Sequence, residues 1–506
     1  MTANIHPVTN ISVVFPQAMI LITAIFILII EIFLPKQASR KPMFVLGLIG
    51  VAAGAIVLTV ITAVAPSVLE YGQSLRLDGF AVLFSLILML GTFLVLLLGL
   101  DGLDEKHPTG YESEYVALLL FALLGGMVLA EAIDLIALFI GLEILSMSAY
   151  VLVGIQKRSI RATEGALKYV ITGGIASGVF LFGASYIVGL SGTSNIYDIA
   201  FALSEGTIMS RYGTLIFIGL LFMLSGLSFK IASVPFHMWV PDVYQGAPLA
   251  TTTFLATVSK TAGFAFLIRL LLTTFYLLST QRGALMIDVQ PYVAALAIAS
   301  MFIGNLLAMR QVNVKRMLAY SSIAHAGYIL IPLAGVNPNM IDEMAFYLIA
   351  YLFMTAGAFA VLDAAYRDSG SYELKSLAGL YHRSPFLAFA MLIFMLSLAG
   401  LPITAGFWAK WYIFIGAIWD GHWLLAVTLA IASILSYYYY FAVLKQIWIR
   451  PGGTEKPLGA PLGTLLVTVI ALVGTLGIGL FPQIIFTAFQ NMFHASSMFD
   501  LFNGRF

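Results

Sequence analysis

Not one cysteine occurs among the 506 residues. Disulfides, cysteine-ligated iron–sulfur clusters and thiol catalysis are therefore excluded, and any electron chemistry coupled to this chain sits elsewhere. Charge is nearly as scarce: Asp, Glu, Lys and Arg make up 10% of the residues, and the formal net charge is +1. That balance argues against nucleic acid as a partner, and no basic tail or separate polar domain stands between the apolar runs. The N-terminus also lacks the basic region and small-residue cleavage site of a signal peptide. What fills the chain is hydrophobic, 61% of it, in runs of about 20 residues, the length that crosses a hydrocarbon core as helix. The fold class is an all-α polytopic membrane protein, one large bundle (a single membrane domain, 1–506) whose first run, Val13 to Leu34, reads as an uncleaved first helix.

Hydropathy predicts about 14 spans, the first near 13–34 and the last near 461–488. Basic residues test the count, because a missed helix would scramble their alternation between sides. Of the 25 Lys and Arg, Lys230, Lys260, Arg269 and Lys410 lie within spans, Arg76, Arg211, Arg282 and Arg505 fall on one side, and all the others fall on the opposite side. The expected location is the cell inner or plasma membrane, with both termini facing the periplasm or exterior. Two spans are expected to be broken, the seventh by Pro235 and Pro241 and the twelfth by Gly400, Pro402 and Gly406. They lie five spans apart, and a five-helix unit inverts when repeated. Spans 4–8 and 9–13 are therefore read as two inverted repeats, each with an interrupted helix in the corresponding place, a pointer to a transport site near the midplane. The parts are then 1–112 (spans 1–3), 113–280 (first repeat), 281–446 (second repeat) and 447–506 (span 14 and C-terminus).

A charge at the centre of a spanning helix costs about 2.5–3.5 kcal/mol on insertion scales and so needs a polar interior or a partner. Glu143 lies ten residues into the fifth span, about 15 Å deep at the rise of a helix. Lys230 and Lys260 fall near half depth on either side of one turn, and Lys410 follows the second break. These four are the candidate site. Arg269, Asp363 and Glu31 stand nearer helix ends and are read as snorkelling to the interface. His325 in "AYSSIAHAGYIL", with Tyr320, Ser321 and Ser322 nearby, is the better relay histidine, because His237 shares a face with Lys230 only if the helix continues through Pro235. Two histidines in spans raise haem, but axial ligation needs a paired placement that Lys230 and Pro235 oppose.

Burial disfavours the charged forms of Glu and Lys, and a nearby opposite charge restores them. A Glu143–Lys230 pair is thus switchable: closed, the lysine holds its proton; open, it tends to release it. A static ion pair that only locks helices would account for Glu143 and Lys230 but not for Lys260 and Lys410.

The stretches "LEILSMSAYVLVGIQKRSIRATEGALKYV", "GLSFKIASVPFHMWVPDVYQGAP", "VKRMLAYSSIAHAGYIL" and "GLPITAGFWAKWY" resemble the antiporter-like membrane subunits of the proton-pumping NADH:quinone oxidoreductase, respiratory complex I, over essentially the whole chain. "PDVYQGAP", a lysine rather than a glutamate at 410, and a chain that stops soon after the last span resemble the N type rather than the M or L type. The resemblance implies fourteen helices with inverted repeats and a subunit of a translocase that moves protons while quinone is reduced in other subunits. It implies the fifth-helix glutamate at Glu143, its paired seventh-helix lysine at Lys230, a connecting lysine at Lys260, an exit-side lysine at Lys410, and a histidine in a similar tenth-helix setting at His325. It further implies no cofactor or metal in this chain, with quinone, FMN and iron–sulfur clusters in other subunits. The implied partners are the lipid bilayer, a neighbouring antiporter-like M subunit and small membrane subunits. The alternative is a subunit of a multisubunit sodium/proton antiporter, which shares the fold and the Glu and Lys pair; "PDVYQGAP" and Lys410 favour the first reading. An independent solute carrier would carry a substrate-shaped polar pocket, where this sequence offers a line of titratable groups.

Overall fold

A computed structural model describes residues 10–35, 38–64, 68–103, 110–204, 207–275, 279–280, 283–335, 339–452 and 456–494. Both chain ends, and Lys36, Lys106, Arg282 and Arg505 of the basic-residue pattern, lie outside the described residues. Among those described, thirteen helices are long and apolar enough to cross a membrane. The first six are Ile11–Phe33, Lys41–Val64, Gly79–Gly99, Glu112–Glu131, Leu135–Val153 and Ile160–Ser191. The next five are Thr207–Lys230, Leu249–Phe275, Leu285–Ala308, Val314–Gly335 and Met340–Ser369. The pair Pro385–Ala399 and Ala405–Trp419 makes the twelfth span in two pieces, and Trp423–Trp448 and Leu462–Leu480 complete fourteen.

Both expected breaks are present. The seventh span stops at Lys230 and resumes as the short helix Val240–Gly246, because Pro235 has no N–H to continue the ladder. Pro241 then falls in the first turn of the new helix, where a missing N–H costs nothing. The helix therefore does not run on from Lys230 to His237, and the two do not share a helical face. In the twelfth span, Gly400 closes the first piece with φ 86°, a left-handed conformation that glycine adopts without penalty. The Ser397 hydroxyl then accepts the Gly406 N–H at 3.0 Å across the gap, so the second piece is tied to the end of the first.

Burial divides the spans sharply. The eighth, tenth and eleventh are buried almost throughout, whereas the first, second, sixth and ninth leave apolar faces exposed. The innermost helices are those that carry Lys260 and His325, so the candidate site runs through the middle of the bundle rather than along its lipid-facing rim.

Two end-of-helix charges behave differently from the snorkelling expectation. Arg269 is 0% exposed and makes a bidentate pair with Asp78, at 2.6 and 3.0 Å, while also donating to the Ala130 carbonyl at 2.7 Å. Its partner lies 191 positions away, on the turn that caps the third span. Breaking such a buried pair from one side costs about 3–5 kcal/mol. Asp363 is likewise buried, accepting from Arg367 Nε at 2.7 Å and from Thr464 at 2.9 Å. Glu31 keeps the expected interfacial character: it is partly exposed and pairs with Arg40 at 2.7 Å.

Candidate functional site: a buried row of lysines

Glu143 and Lys230 face the same ground without touching. Lys230 Nζ donates to the Ser146 hydroxyl at 3.0 Å, and Ser146 stands three residues after Glu143 on the same helix, hence on the same face. The carboxylate accepts instead from the Ser177 hydroxyl of the sixth span at 2.5 Å. Among the described residues the two form no direct salt bridge, so the pair stands in its open arrangement. The helix end matters here: Lys230 is the last residue of the first piece of the seventh span, where free carbonyls favour a cation.

The stem of Lys230 leads to the next lysine. It packs on Gly263, where a Cβ would stand 3.2 Å from Lys230 Cγ, and Gly263 is one turn beyond Lys260 in the eighth span. Lys260 follows a π-helical turn, Leu255–Ser259; such turns loosen the helical ladder and recur at functional sites. Its Nζ donates to both the carbonyl and the hydroxyl of Ser322 on the tenth span. Beside it the Ser321 hydroxyl meets the Tyr440 hydroxyl at 2.5 Å. Tyr440 reaches His325 Nε2 at 3.1 Å, and the other ring nitrogen, Nδ1, meets the Tyr347 hydroxyl at 2.7 Å. His325 is thus buried with both ring nitrogens in hydrogen bonds to tyrosine hydroxyls, one of them necessarily an acceptor in the neutral imidazole.

Lys410 lies on the far side of this cluster. Its Nζ donates to the Leu398 and Ala399 carbonyls, 3.0 Å each, the last of the first piece of the twelfth span, and stands 4.8 Å above the Tyr328 ring. Tyr328 is one turn beyond His325, the two rings 5.4 Å apart. The unwound end of the first piece thus supplies the carbonyl acceptors that hold this buried ammonium. A Cβ at Gly400 would stand 2.8 Å from Lys410 Cδ, so the turn is shaped around the lysine stem.

The structure thus seats Lys260 on Ser322, next in sequence to the Ser321 that opens the hydrogen-bonded row to Tyr440 and His325, brings Lys410 to the same cluster through Tyr328, and sets Lys230 against Gly263, one turn from Lys260. The tyrosines at 328, 347 and 440 were not singled out by the sequence reading, nor was Glu131, fully buried at the end of the fourth span, where it accepts from Gln17 and from Ser85 at 3.1 Å. The available signal was "SYYYYF" at 436–441, a run of hydroxyls in an apolar span. Beside the turn that joins the seventh and eighth spans lies a polar cavity of about 360 Å³, lined in part by Gln156, Ser159, Arg161, Gln245, Asn313 and Lys315. Along the eighth span toward Lys260 the hydroxyl side chains Thr252, Thr253, Thr257 and Ser259 are buried, those of the three threonines bonded to carbonyls one turn back. Among the described residues no three of His, Cys, Asp and Glu stand close enough to hold a metal ion.

A fourteen-crossing bundle with two interrupted helices and a row of buried lysines is an antiporter-like ion-translocating membrane protein. Residues 132–436 match the family described as "NADH:quinone oxidoreductase/Mrp antiporter, TM". The chain belongs to that family and, within it, to the subunit N branch of the NADH-quinone oxidoreductases. It is 46% identical over 472 residues to NADH-quinone oxidoreductase subunit N of Geobacillus sp. (strain WCH70), covering 92% of this chain and 95% of the relative. A chain of respiratory complex I from Thermus thermophilus superposes with a TM-score of 0.77 at 32% identity, covering 94% of this chain and 99% of that one. A chain of the Mrp complex from Dietzia sp. DQ12-45-1b superposes at 0.80 with 20% identity, covering 96% and 98%, which is a likeness of fold. The resemblance read from the four sequence stretches is borne out, and the oxidoreductase reading is better supported than the sodium/proton antiporter.

Proposed function

We propose that this chain carries protons across the membrane along Glu143, Lys230, Lys260, His325 and Lys410, driven by quinone reduction in other subunits. One observation carries the reading. Lys230, Lys260 and Lys410 are all buried, and among the described residues none of their ammonium groups is in a salt bridge; each donates its hydrogen bonds to neutral hydroxyl or carbonyl oxygens. Charges buried without counter-charges are poor locks and are costly to keep. Groups that gain and lose a proton in turn bear that cost only while they carry it.

In this reading protons are taken up through the polar cavity beside residues 246–249, pass the threonine row to Lys260, cross the Ser321–Tyr440–His325 hydroxyls, and leave beyond Lys410. Spans 4–8 and 9–13 act as inverted repeats, with parts 1–112, 113–280, 281–446 and 447–506. The quinone, FMN and iron–sulfur clusters belong to other subunits. A neighbouring antiporter-like M subunit and small membrane subunits pack on the exposed apolar faces within the cell inner or plasma membrane.

The central link is tested at Lys260. Lys260→Met keeps the length of the side chain and removes its proton site, so quinone-coupled proton pumping in reconstituted vesicles is expected to fall several-fold, on the order of threefold to tenfold. Wild-type pumping by an assembled Lys260→Met complex would remove Lys260 from the path. Orientation is tested separately. The basic-residue pattern puts both termini at the periplasm or exterior and the loop 156–168 at the cytoplasm. A single cysteine at 160 in this cysteine-free chain is expected to stay unlabelled by an impermeant thiol reagent added to intact cells and to react in inverted membranes. Labelling in intact cells reverses the topology.

A further inference from the structure

The relay just proposed leaves a gap between Lys410 and the membrane face at the far end of the twelfth span, and that gap is not empty. We infer that Glu343 is the proton station that receives from the Lys410–His325 cluster and releases toward that face.

The placement comes from three contacts. Glu343 is 5% exposed and lies in the first turn of the eleventh span, with its carboxylate seated over Gly416 of the twelfth. A Cβ at Gly416 would stand 2.3 Å from one carboxylate oxygen and 2.8 Å from the other. Only a glycine leaves that room. Gly416 belongs to the buried stripe Ala409, Lys410, Ile413, Gly416, Ala417, six residues beyond Lys410, about 9 Å along the helix. Secondly, Tyr347 is one turn beyond Glu343, so the two share a face of the eleventh span, and Tyr347 is the residue that holds His325 Nδ1. Glu343 thus lies on the helix face of one branch, one turn from Tyr347, and is seated on the helix of the other, about 9 Å along it from Lys410. Thirdly, the row continues outward. Asp342 is 8% exposed, and its Oδ1 has no hydrogen-bond partner among the described residues. Asp420 ends the twelfth span four residues past Gly416 and sits against Gly335, where a Cβ would meet its Oδ2 at 2.8 Å.

A carboxylate in the first turn of a helix gains from the helix dipole, but that gain is available at the surface and does not require burial against a glycine of another span. The step is a plain transfer: the proton leaves Lys410 Nζ as the lysine becomes neutral, crosses water to the Glu343 carboxylate, and the resulting acid returns it to water at the outer face.

The inference rests on the proton-path reading, so the test pairs Glu343→Gln with Lys410→Met in the intact complex, reconstituted in vesicles. Assembly, quinone-coupled turnover and gradient formation are measured together. Glu343→Gln, close to the same size, is expected to assemble and to lower turnover and gradient together on the order of tenfold, with Glu343→Asp recovering part of both. A gradient lost at unchanged turnover indicates a leak and overturns the assignment. So does failure of the near-isosteric Gln variant to assemble, which assigns the carboxylate to the fold. Normal function of Glu343→Gln beside an impaired Lys410→Met sinks Glu343 alone; normal function of both sinks the path itself.

Discussion

Glu143→Gln is expected to leave the complex assembled and to reduce its quinone-coupled proton pumping by tenfold or more. Assembly survives because the amide keeps the size of the side chain and can still accept from Ser177, the one hydrogen bond the carboxylate makes among the described residues, at 2.5 Å. Transport fails because the negative charge is lost. Two unit charges 4 Å apart interact by about 4 kcal/mol at an effective dielectric constant of 20, and less as they separate, while about 1.4 kcal/mol already shifts an equilibrium tenfold. Closing and opening the distance between Glu143 and Lys230 therefore suffices to set whether the lysine keeps its proton. The observed geometry has Lys230 on Ser146, three residues along the fifth span from Glu143, and Glu143 on Ser177. Glu143→Asp keeps the charge on a shorter stem and is expected to retain part of the pumping. Measured as fluorescence quenching in vesicles against quinone-coupled turnover, an assembled Glu143→Gln complex with normal stoichiometry would refute the switch.

The parts of this site that were legible in the sequence are those that break a local rule. In a chain so poor in charge, Lys230, Lys260 and Lys410 stand out because hydrocarbon offers them nothing, and Pro235, Gly400 and Gly406 because a continuous helix does not tolerate them well. Local rules also fixed the number of crossings, since the length of an apolar run is a one-dimensional property. What stayed hidden depends on which helix faces meet. Tyr347 and Tyr440 look like ordinary aromatic residues of apolar spans until the tenth, eleventh and thirteenth spans cross and bring both hydroxyls onto His325. Arg269 reads as an interfacial residue by its depth alone, and only the fold brings Asp78 to it. Glu343 stayed hidden for the same reason: in the first turn of its helix nothing local marks it as buried, and the room for its carboxylate is left by the absence of a side chain at Gly416 on another span.

Lys410→Met is expected to reduce both proton pumping and coupled quinone reductase activity by tenfold or more, and Lys410→Arg is expected to do nearly the same. The pair of variants separates proton exchange from fixed charge. Moving one charge against 100 mV costs about 2.3 kcal/mol, so a path that ends in open water must hold its last deep proton where it does not run back when the complex idles. Lys410 has the means: its ammonium is held by the Leu398 and Ala399 carbonyls, acceptors freed by the break in the helix, and among the described residues it has no acidic partner that would fix it in one charge state. Methionine fills the same volume but accepts no proton, and the two carbonyls lose their donor. Arginine keeps a cation and can satisfy those carbonyls, yet a guanidinium does not deprotonate in proteins, so it restores the electrostatics of the site without its chemistry. Activity of Lys410→Arg close to wild type in reconstituted vesicles would show that Lys410 supplies only fixed charge. The proton would then have to reach the outer carboxylates by the other branch, through His325 and Tyr347.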